Sequence, residues 1–208
     1  MNISVIIPVY NSAAYIEKAV TSALFHNEVK EIVLVNDGST DNSLPILQKL
    51  QQSDARIKIY HHENNSNKGR SASRNLALKK ATQPFIAFLD ADDFYLENRF
   101  ENDLKLFESD SSIDGVYNAI GVHFYRNATQ EEKNELNLTT VRENILPVNL
   151  FEELLSGKKG YFSIDGLVVK KQVFDRIGYF NEELLVAEDT ELILKMALRS
   201  KLVTGIID

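Results

Sequence analysis

The chain has no cysteine in 208 residues. That excludes a disulfide framework and thiolate chemistry, and it agrees with a reducing compartment. Nowhere do eighteen apolar residues run together, and the first residues lack the basic stretch and continuous apolar run of a signal peptide. Neither a membrane span nor secretion is therefore expected. Positive charge is in short supply, with 23 Lys and Arg against 30 Asp and Glu and a net charge of −7. A general nucleic-acid binder would carry a basic face, so that class is disfavoured. Two glycine signatures are missing as well. Pro8-Val9-Tyr10-Asn11-Ser12 stands where a dinucleotide fold places G-x-G-x-x-G, and no G-x-x-x-x-G-K-[ST] occurs. Any phosphates bound here are expected to be held by a metal and side chains rather than by a glycine nest.

What is present is a core. Apolar residues make up 44% of the chain, enough for one domain of ordinary size or two closely packed halves. Residues 3–7 read as a short apolar strand stopped by Pro8, which has no N–H to give a ladder. Asn11 or Ser12 is positioned to cap a following helix, in which Ile16, Ala19, Val20, Ala23 and Leu24 recur at helical spacing. A second strand, 32–35, ends in the turn-rich run 36–43 ahead of a helix to about residue 52, and a third covers 57–60. A polar loop, 61–69, leads to a helix bearing Arg70, Arg74 and Asn75.

The stretch 85–93 (FIAFLDADD) organises the rest. Five apolar residues suit a strand covered on both faces, and Asp90, Asp92 and Asp93 arrive where it leaves the sheet. Crowded carboxylates favour a cation among them, and oxygen-only ligands suit Mg²⁺ or Mn²⁺ completed by substrate phosphates. The same run also suits a solvated turn or helix cap. Strands and helices alternate through residue 89, which predicts a parallel sheet with helices on its faces and all strand C-termini on one edge. In such sheets the ligand crevice lies outside those ends, and here it collects Pro8, Tyr10, Asp37 and residues 90–93.

Farther on, 96–108 looks helical, 115–125 looks like a strand pair, and polar, acidic 126–144 reads as an exposed insertion or mobile loop. Residues 150–155 suit a short helix ending at Gly157. Glu188 and Asp189 open a helix with Leu192, Ile193, Met196 and Ala197 as its apolar stripe. His26, His61, His62 and His123 show no ligand spacing and are expected on the surface or in loops.

These pieces together resemble the N-terminal catalytic region of family 2 glycosyltransferases. The matching segments are ISVIIPVYN (3–11), EIVLVNDGSTDNS (31–43), NKGRSASRN (67–75), FLDADD (88–93), Gly178 to Phe180 before an acidic loop, and Glu188-Asp189. The resemblance implies an α/β GT-A fold: a Rossmann-like, mostly parallel central sheet with helices on both faces. It also implies one domain over 1–208, with a nucleotide-sugar half (1–95) and an acceptor-side half (96–208) that family members continue past residue 208. Pro8 and Tyr10 match residues lining the nucleotide base, and Asp37 matches the carboxylate that accepts from the base N–H. Read alone, Tyr10 could simply cover a helix start and Asp37 make an Asx turn with Gly38.

Lys68 and Arg70 sit where cations could offset diphosphate charge, although Arg70 and Ser73 replace a frequent apolar residue and a frequent Ala. Arg74 has an alternative structural use, pairing with acids near the DAD turn. Asp90 and Asp92 match the family's DxD, with Asp92 expected to ligate a divalent Mn²⁺ or Mg²⁺ and Asp90 to contact the ribose or act through water. Residues 161–169, which include Asp165-Gly166, resemble the segment beneath the acceptor site. Asp189 matches the catalytic base of a single inverting displacement. The tryptophan-dependent Gln-x-x-Arg-Trp signature of processive polymerases is absent, since the chain has no Trp.

The expected function is sugar transfer from a nucleotide sugar, UDP-linked by this reading, to a hydroxyl acceptor. The setting is bacterial surface polysaccharide or glycolipid synthesis in the cytoplasm, with peripheral contact to the inner face of the membrane. A donor-binding GT-A module without turnover, active only with a missing partner or segment, is the alternative. A nucleotidyltransferase is disfavoured, because residues 10–12 supply no glycine-rich basic loop.

Overall fold

A computed structural model describes residues 1–136 and 138–208. Seven strands form one sheet in the order β3-β2-β1-β4-β8-β5-β9. Its first four are the expected apolar runs: β1 (Ile3–Val9), β2 (Val29–Asn36), β3 (Ile57–His61) and β4 (Phe85–Phe88). All pair in parallel, with β1 between β2 and β4. Strand β8 (Leu167–Lys170) runs antiparallel to both β4 and β5 (Gly115–Tyr117), and β9 (Leu202–Thr204) closes the edge parallel to β5.

Both faces are covered, which is why β1, β2 and β4 carry consecutive apolar residues such as Val5 to Ile7 and Ile32 to Val35 rather than an alternation. Ile3, Val5, Ile7 and Val9 pack under α1 (Ile16–Leu24), α2 (Ser43–Ser53) and α4 (Glu101–Ser109). Ile6 points the other way, into the core shared by α3 (Arg70–Lys80), α6 (Leu150–Ser156), α7 (Val173–Ile177) and α8 (Glu188–Arg199). Helix α6 ends at a left-handed Gly157, as expected.

Several expectations are corrected. Pro8 does not stop β1, which continues to Val9 with Pro8 opposite Val35. The Ile6 carbonyl accepts from the Leu89 N–H on the β4 side and the Val9 carbonyl from the Asp37 N–H on the β2 side. By this alternation the Pro8 nitrogen faces past the end of β4, where no ladder bond is lost. Neither Asn11 nor Ser12 caps α1 through its side chain; the helix begins after Tyr15, and the Asn11 amide oxygen instead accepts from the Thr40 backbone N–H at 2.8 Å. Residues 97–100 form turns ahead of α4, which begins at Glu101 rather than at residue 96.

The 115–125 stretch is not a hairpin. β5 joins the main sheet, whereas β6 (Ile120–Gly121) pairs with β7 (Leu138–Thr139) in a separate ribbon. The insertion 126–144 is exposed over much of its length, but it contains α5 (Gln130–Glu135), held by a Thr129–Glu132 capping box, and Val141, which is buried in the core. Residue 137 of that stretch lies outside the described residues. His26 is not a surface residue: it is buried against the Phe25, Tyr95 and Phe100 rings, and that burial pushes its pKa below the ordinary value.

Candidate active site

The C-terminal ends of β1, β2 and β4 share one edge of the sheet, and each delivers polar residues there. A cleft of about 540 Å³ opens along it, lined by Pro8, Tyr10, Asp37, Arg70, Asp90 and Asp92 among others. Its floor exists because β4 pairs with β1 only as far as Phe88 and Ile6, leaving the last residues of β1 uncovered. Tyr10 is about half exposed, so its ring lies open to the cleft rather than sealing the start of α1. Asn11, at φ 49°, stitches the β1 and β2 loops together through its amide oxygen.

Asp37 is buried, and its two oxygens accept from the Lys68 N–H at 2.7 Å and the Gly69 N–H at 2.9 Å. The turn bond at this corner is made by its neighbour, since the Asn36 side chain accepts from the Ser39 N–H. Asp37 therefore clamps the β3–α3 loop to the floor of the cleft, and each oxygen keeps a lone pair for a further donor. His62 completes this corner, with Nε2 3.0 Å from the Ser73 hydroxyl and 3.5 Å from Asp37. Lys68 contributes its backbone here, and the lining of the cleft runs through its neighbours Asn67, Gly69 and Arg70.

Arg74 is the electrostatic centre of the site. Only 2% of its side chain is exposed, and it donates to Asp90 at 2.7 Å and to Glu188 at 2.9 Å. Arg70 reaches the same Glu188 oxygen from the solvent side at 2.9 Å. Burial works against the Arg74 charge, but Asp90, Asp165 and Glu188 outweigh it and push its pKa up. The buried carboxylate of the Glu188-Asp189 pair is thus spent on two guanidinium groups. Asp189 is left half-buried at the N-terminus of α8, with one oxygen accepting from the Thr190 N–H at 2.7 Å. It lies outside the lining of the 540 Å³ cleft and is tied to it through the chain Glu188–Arg74–Asp90.

The acidic cluster has a fourth member that short-motif reading misses. Asp165 precedes β8 and sits beneath Asp90 and Asp93; burial first, and then the Asp90 charge, push its pKa well above the usual carboxylate range against the pull of Arg74. Asp93 is raised too, by desolvation and by Asp92 and Asp90. The sequence signal for Asp165 is a lone carboxylate between Ile164 and the apolar run 167–169.

Among the described residues, no group of three or more His, Asp or Glu side chains is arranged to enclose a metal ion. What is present is open: Asp92 is exposed and Asp90 has one oxygen on Arg74. That donor set fits a hard divalent ion held by one or two carboxylates and completed by diphosphate oxygens.

The comparisons agree with this architecture. The model for "Glycosyl transferase family 2" matches residues 4–178. An uncharacterised glycosyltransferase of Rickettsia felis is 32% identical over 200 residues, covering 93% of this chain and 31% of the relative. The chondroitin synthase of Pasteurella multocida is 37% identical over 116 residues, covering 55% of this chain and 12% of that one. Among solved structures, S. aureus TarS 1-349 in complex with UDP superposes with a TM-score of 0.73 at 27% identity, covering 98% of this chain and 57% of that chain. The chain thus spans less than two thirds of the length of each of these relatives. With the edge of a mostly parallel sheet carrying the site and the family's motifs converging on it, this chain has the GT-A fold and belongs to glycosyl transferase family 2.

Proposed function

We propose that the protein transfers a sugar from a UDP-linked donor to a hydroxyl acceptor in surface polysaccharide or glycolipid synthesis, with inversion at the anomeric carbon. One observation carries the reading: Tyr10, Asp37, Asp90 and Asp92 share one cleft, and Arg74 binds both Asp90 and the residue preceding Asp189. The Tyr10 ring offers the uracil a stacking face, and Asp37 has a free lone pair for the base N–H. Asp90 and Asp92 would hold Mn²⁺ or Mg²⁺, which when bound would supply positive charge to offset that developing on the leaving UDP. Asp189 takes the proton of the acceptor hydroxyl as its oxygen bonds to C1. The C1–O bond to the β-phosphate breaks with its electron pair going to UDP, and one displacement inverts the centre. All of 1–208 acts as one domain in this scheme, placed in the cytoplasm with its acceptor at the inner face of the membrane. No helix among the described residues is long and apolar enough to cross a membrane.

The position of Asp189 outside the cleft lining favours a second reading, donor binding without turnover. Calorimetric titration of UDP, with GDP as control, with and without Mn²⁺ and repeated on Asp92→Ala, tests the donor site. Binding that needs both metal and Asp92 supports it, and no binding under any condition sinks it. Slow UDP release from a UDP-sugar, abolished in Asp189→Asn, separates the enzyme from the binding module; full release in that variant removes Asp189 as the base.

A further inference from the structure

Three elements converge behind Asp37, and a histidine stands where they meet. Strand β3 ends at His61, and His62 opens the loop toward α3, its carbonyl accepting from the Asn65 N–H at 3.1 Å. The His62 ring turns back from that loop. Its Nε2 lies 3.0 Å from the Ser73 hydroxyl in α3 and 3.5 Å from Asp37 Oδ1, just past the end of β2. The corner is nearly closed to water: 13% of the His62 side chain and 5% of the Asp37 side chain are exposed, and Ser73 is fully buried.

This setting selects a tautomer. Both groups facing Nε2 are oxygens, and one is a carboxylate. A lone pair on Nε2 would be set against negative charge, whereas an N–H there donates to Ser73 Oγ and turns its positive end toward Asp37. A carboxylate offers about four lone-pair positions, and the Lys68 and Gly69 N–H groups take one on each oxygen. The imidazole edge lies against the second position on Oδ1, too far for a hydrogen bond but close enough to bar another donor. The position left open is on Oδ2.

We propose that His62, anchored by Ser73, is a positioning residue that fixes the Asp37 carboxylate so that Oδ2 receives the N3–H of uracil, and thereby sets a preference for uridine over cytidine nucleotides. The inference deepens the proposed donor site and rests on it for the identity of the base. Cytosine carries a lone pair at N3, which a fixed carboxylate oxygen repels. A carboxylate free to swing would instead follow the neighbouring amino group of cytosine and lose the distinction.

Calorimetric titration of UDP and of CDP into the whole protein with Mn²⁺ isolates the base, because ribose, diphosphate and metal contacts cancel in the ratio. Wild type is expected to favour UDP by about 10- to 100-fold, the worth of one hydrogen bond to a charged group. His62→Leu is expected to cut that preference about fivefold. His62→Gln, whose amide nitrogen reaches the place of Nε2, should restore most of it, and Ser73→Ala should fall between wild type and His62→Leu. Long-range ¹H–¹⁵N spectra of the ring in the free protein are expected to show a protonated Nε2.

An unchanged UDP-to-CDP ratio in His62→Leu overturns the proposal while leaving the donor site standing. Equal weakening of both nucleotides does the same, since a merely structural role lowers both together. A bare Nε2 overturns it as well. Where His62→Leu does not fold, the Ser73→Ala ratio and the tautomer decide. Equal affinity of the wild type for UDP and CDP removes the base-reading role of Asp37 and this inference with it, and failure of the wild type to bind either nucleotide refutes the donor reading itself.

Discussion

Replacing Arg74 by Met should be the most disruptive single change near the cleft that deletes no proposed catalytic group. The guanidinium is buried, donates to Asp90 and Glu188, and lies 5.4 Å from the Phe180 ring. Met fills most of the volume but leaves Glu188, itself 2% exposed, with only the exposed Arg70 for a partner. Breaking a buried pair by removing one partner costs about 3–5 kcal/mol, and the surviving Arg70 contact puts the expectation at the lower end, about 3 kcal/mol. For a chain of this size that corresponds to a fall in Tm of roughly 6–12 °C. Urea unfolding of Arg74→Met, Glu188→Leu and the double variant supplies a cycle. If the cost is an orphaned buried charge, the double variant regains much of what Arg74→Met loses. UDP release should fall further in Arg74→Met than UDP affinity does, because the lost link joins Asp90 to the start of α8. A loss under about 1 kcal/mol, or strictly additive single effects, would refute the buried-charge reasoning.

Three further outcomes are expected. Asp165 holds its proton more tightly in the folded chain than unfolded, so its stabilising contribution is full below the unfolded value near about pH 4 and is lost as pH rises through the folded value. Asp165→Asn should therefore gain Tm over the wild type progressively as pH rises above about 4; a difference that does not change with pH contradicts it. Gly38 has φ +70°, and a Cβ there would meet the Asn65 carbonyl oxygen at 2.7 Å and the Asn67 nitrogen at 2.9 Å. Gly38→Ala should cost about 2–3 kcal/mol in urea unfolding and weaken UDP binding through the displaced loop, and a neutral result would mean that the loop yields freely. Ala187 stands at φ 59° immediately before Glu188, a left-handed position costing roughly 1 kcal/mol for a residue with a Cβ. Ala187→Gly should gain about 0.5 kcal/mol once the extra backbone entropy is counted, and a measured loss would show that the strain is absent.

The parts of this fold legible in the sequence were those decided locally. Strands β1, β2 and β4 announce themselves because a parallel sheet covered on both faces needs apolar residues at consecutive positions, and their runs are too short for buried helices. The acidic turn was legible for a related reason: three carboxylates directly after a buried strand can only emerge at its end. Features decided by distant neighbours were not legible. Whether Pro8 ends β1 depends on where β4 stops, and whether Val141 is core depends on its bridge to Gly160. The division of 115–125 between two sheets required β7 and β9 as partners, and both are too short to leave a periodic trace. At the site, Tyr10, Asp37 and Asp92 were visible as residues at strand ends. Asp165 was not, since its meaning comes from carboxylates more than seventy residues earlier in the chain.

The Arg74–Glu188 contact spans 114 residues, whereas Arg74 and Asp90 are 16 apart. On the ribosome these two partners are made at different times. At about 5–20 residues per second, Glu188 is synthesised roughly 6–23 seconds after Arg74. The edge that would hold the donor is therefore made well before the helix carrying Asp189. Over that interval Arg74 has Asp90 but not Glu188, and the core shared by α3 and α8 stays incomplete until α8 arrives.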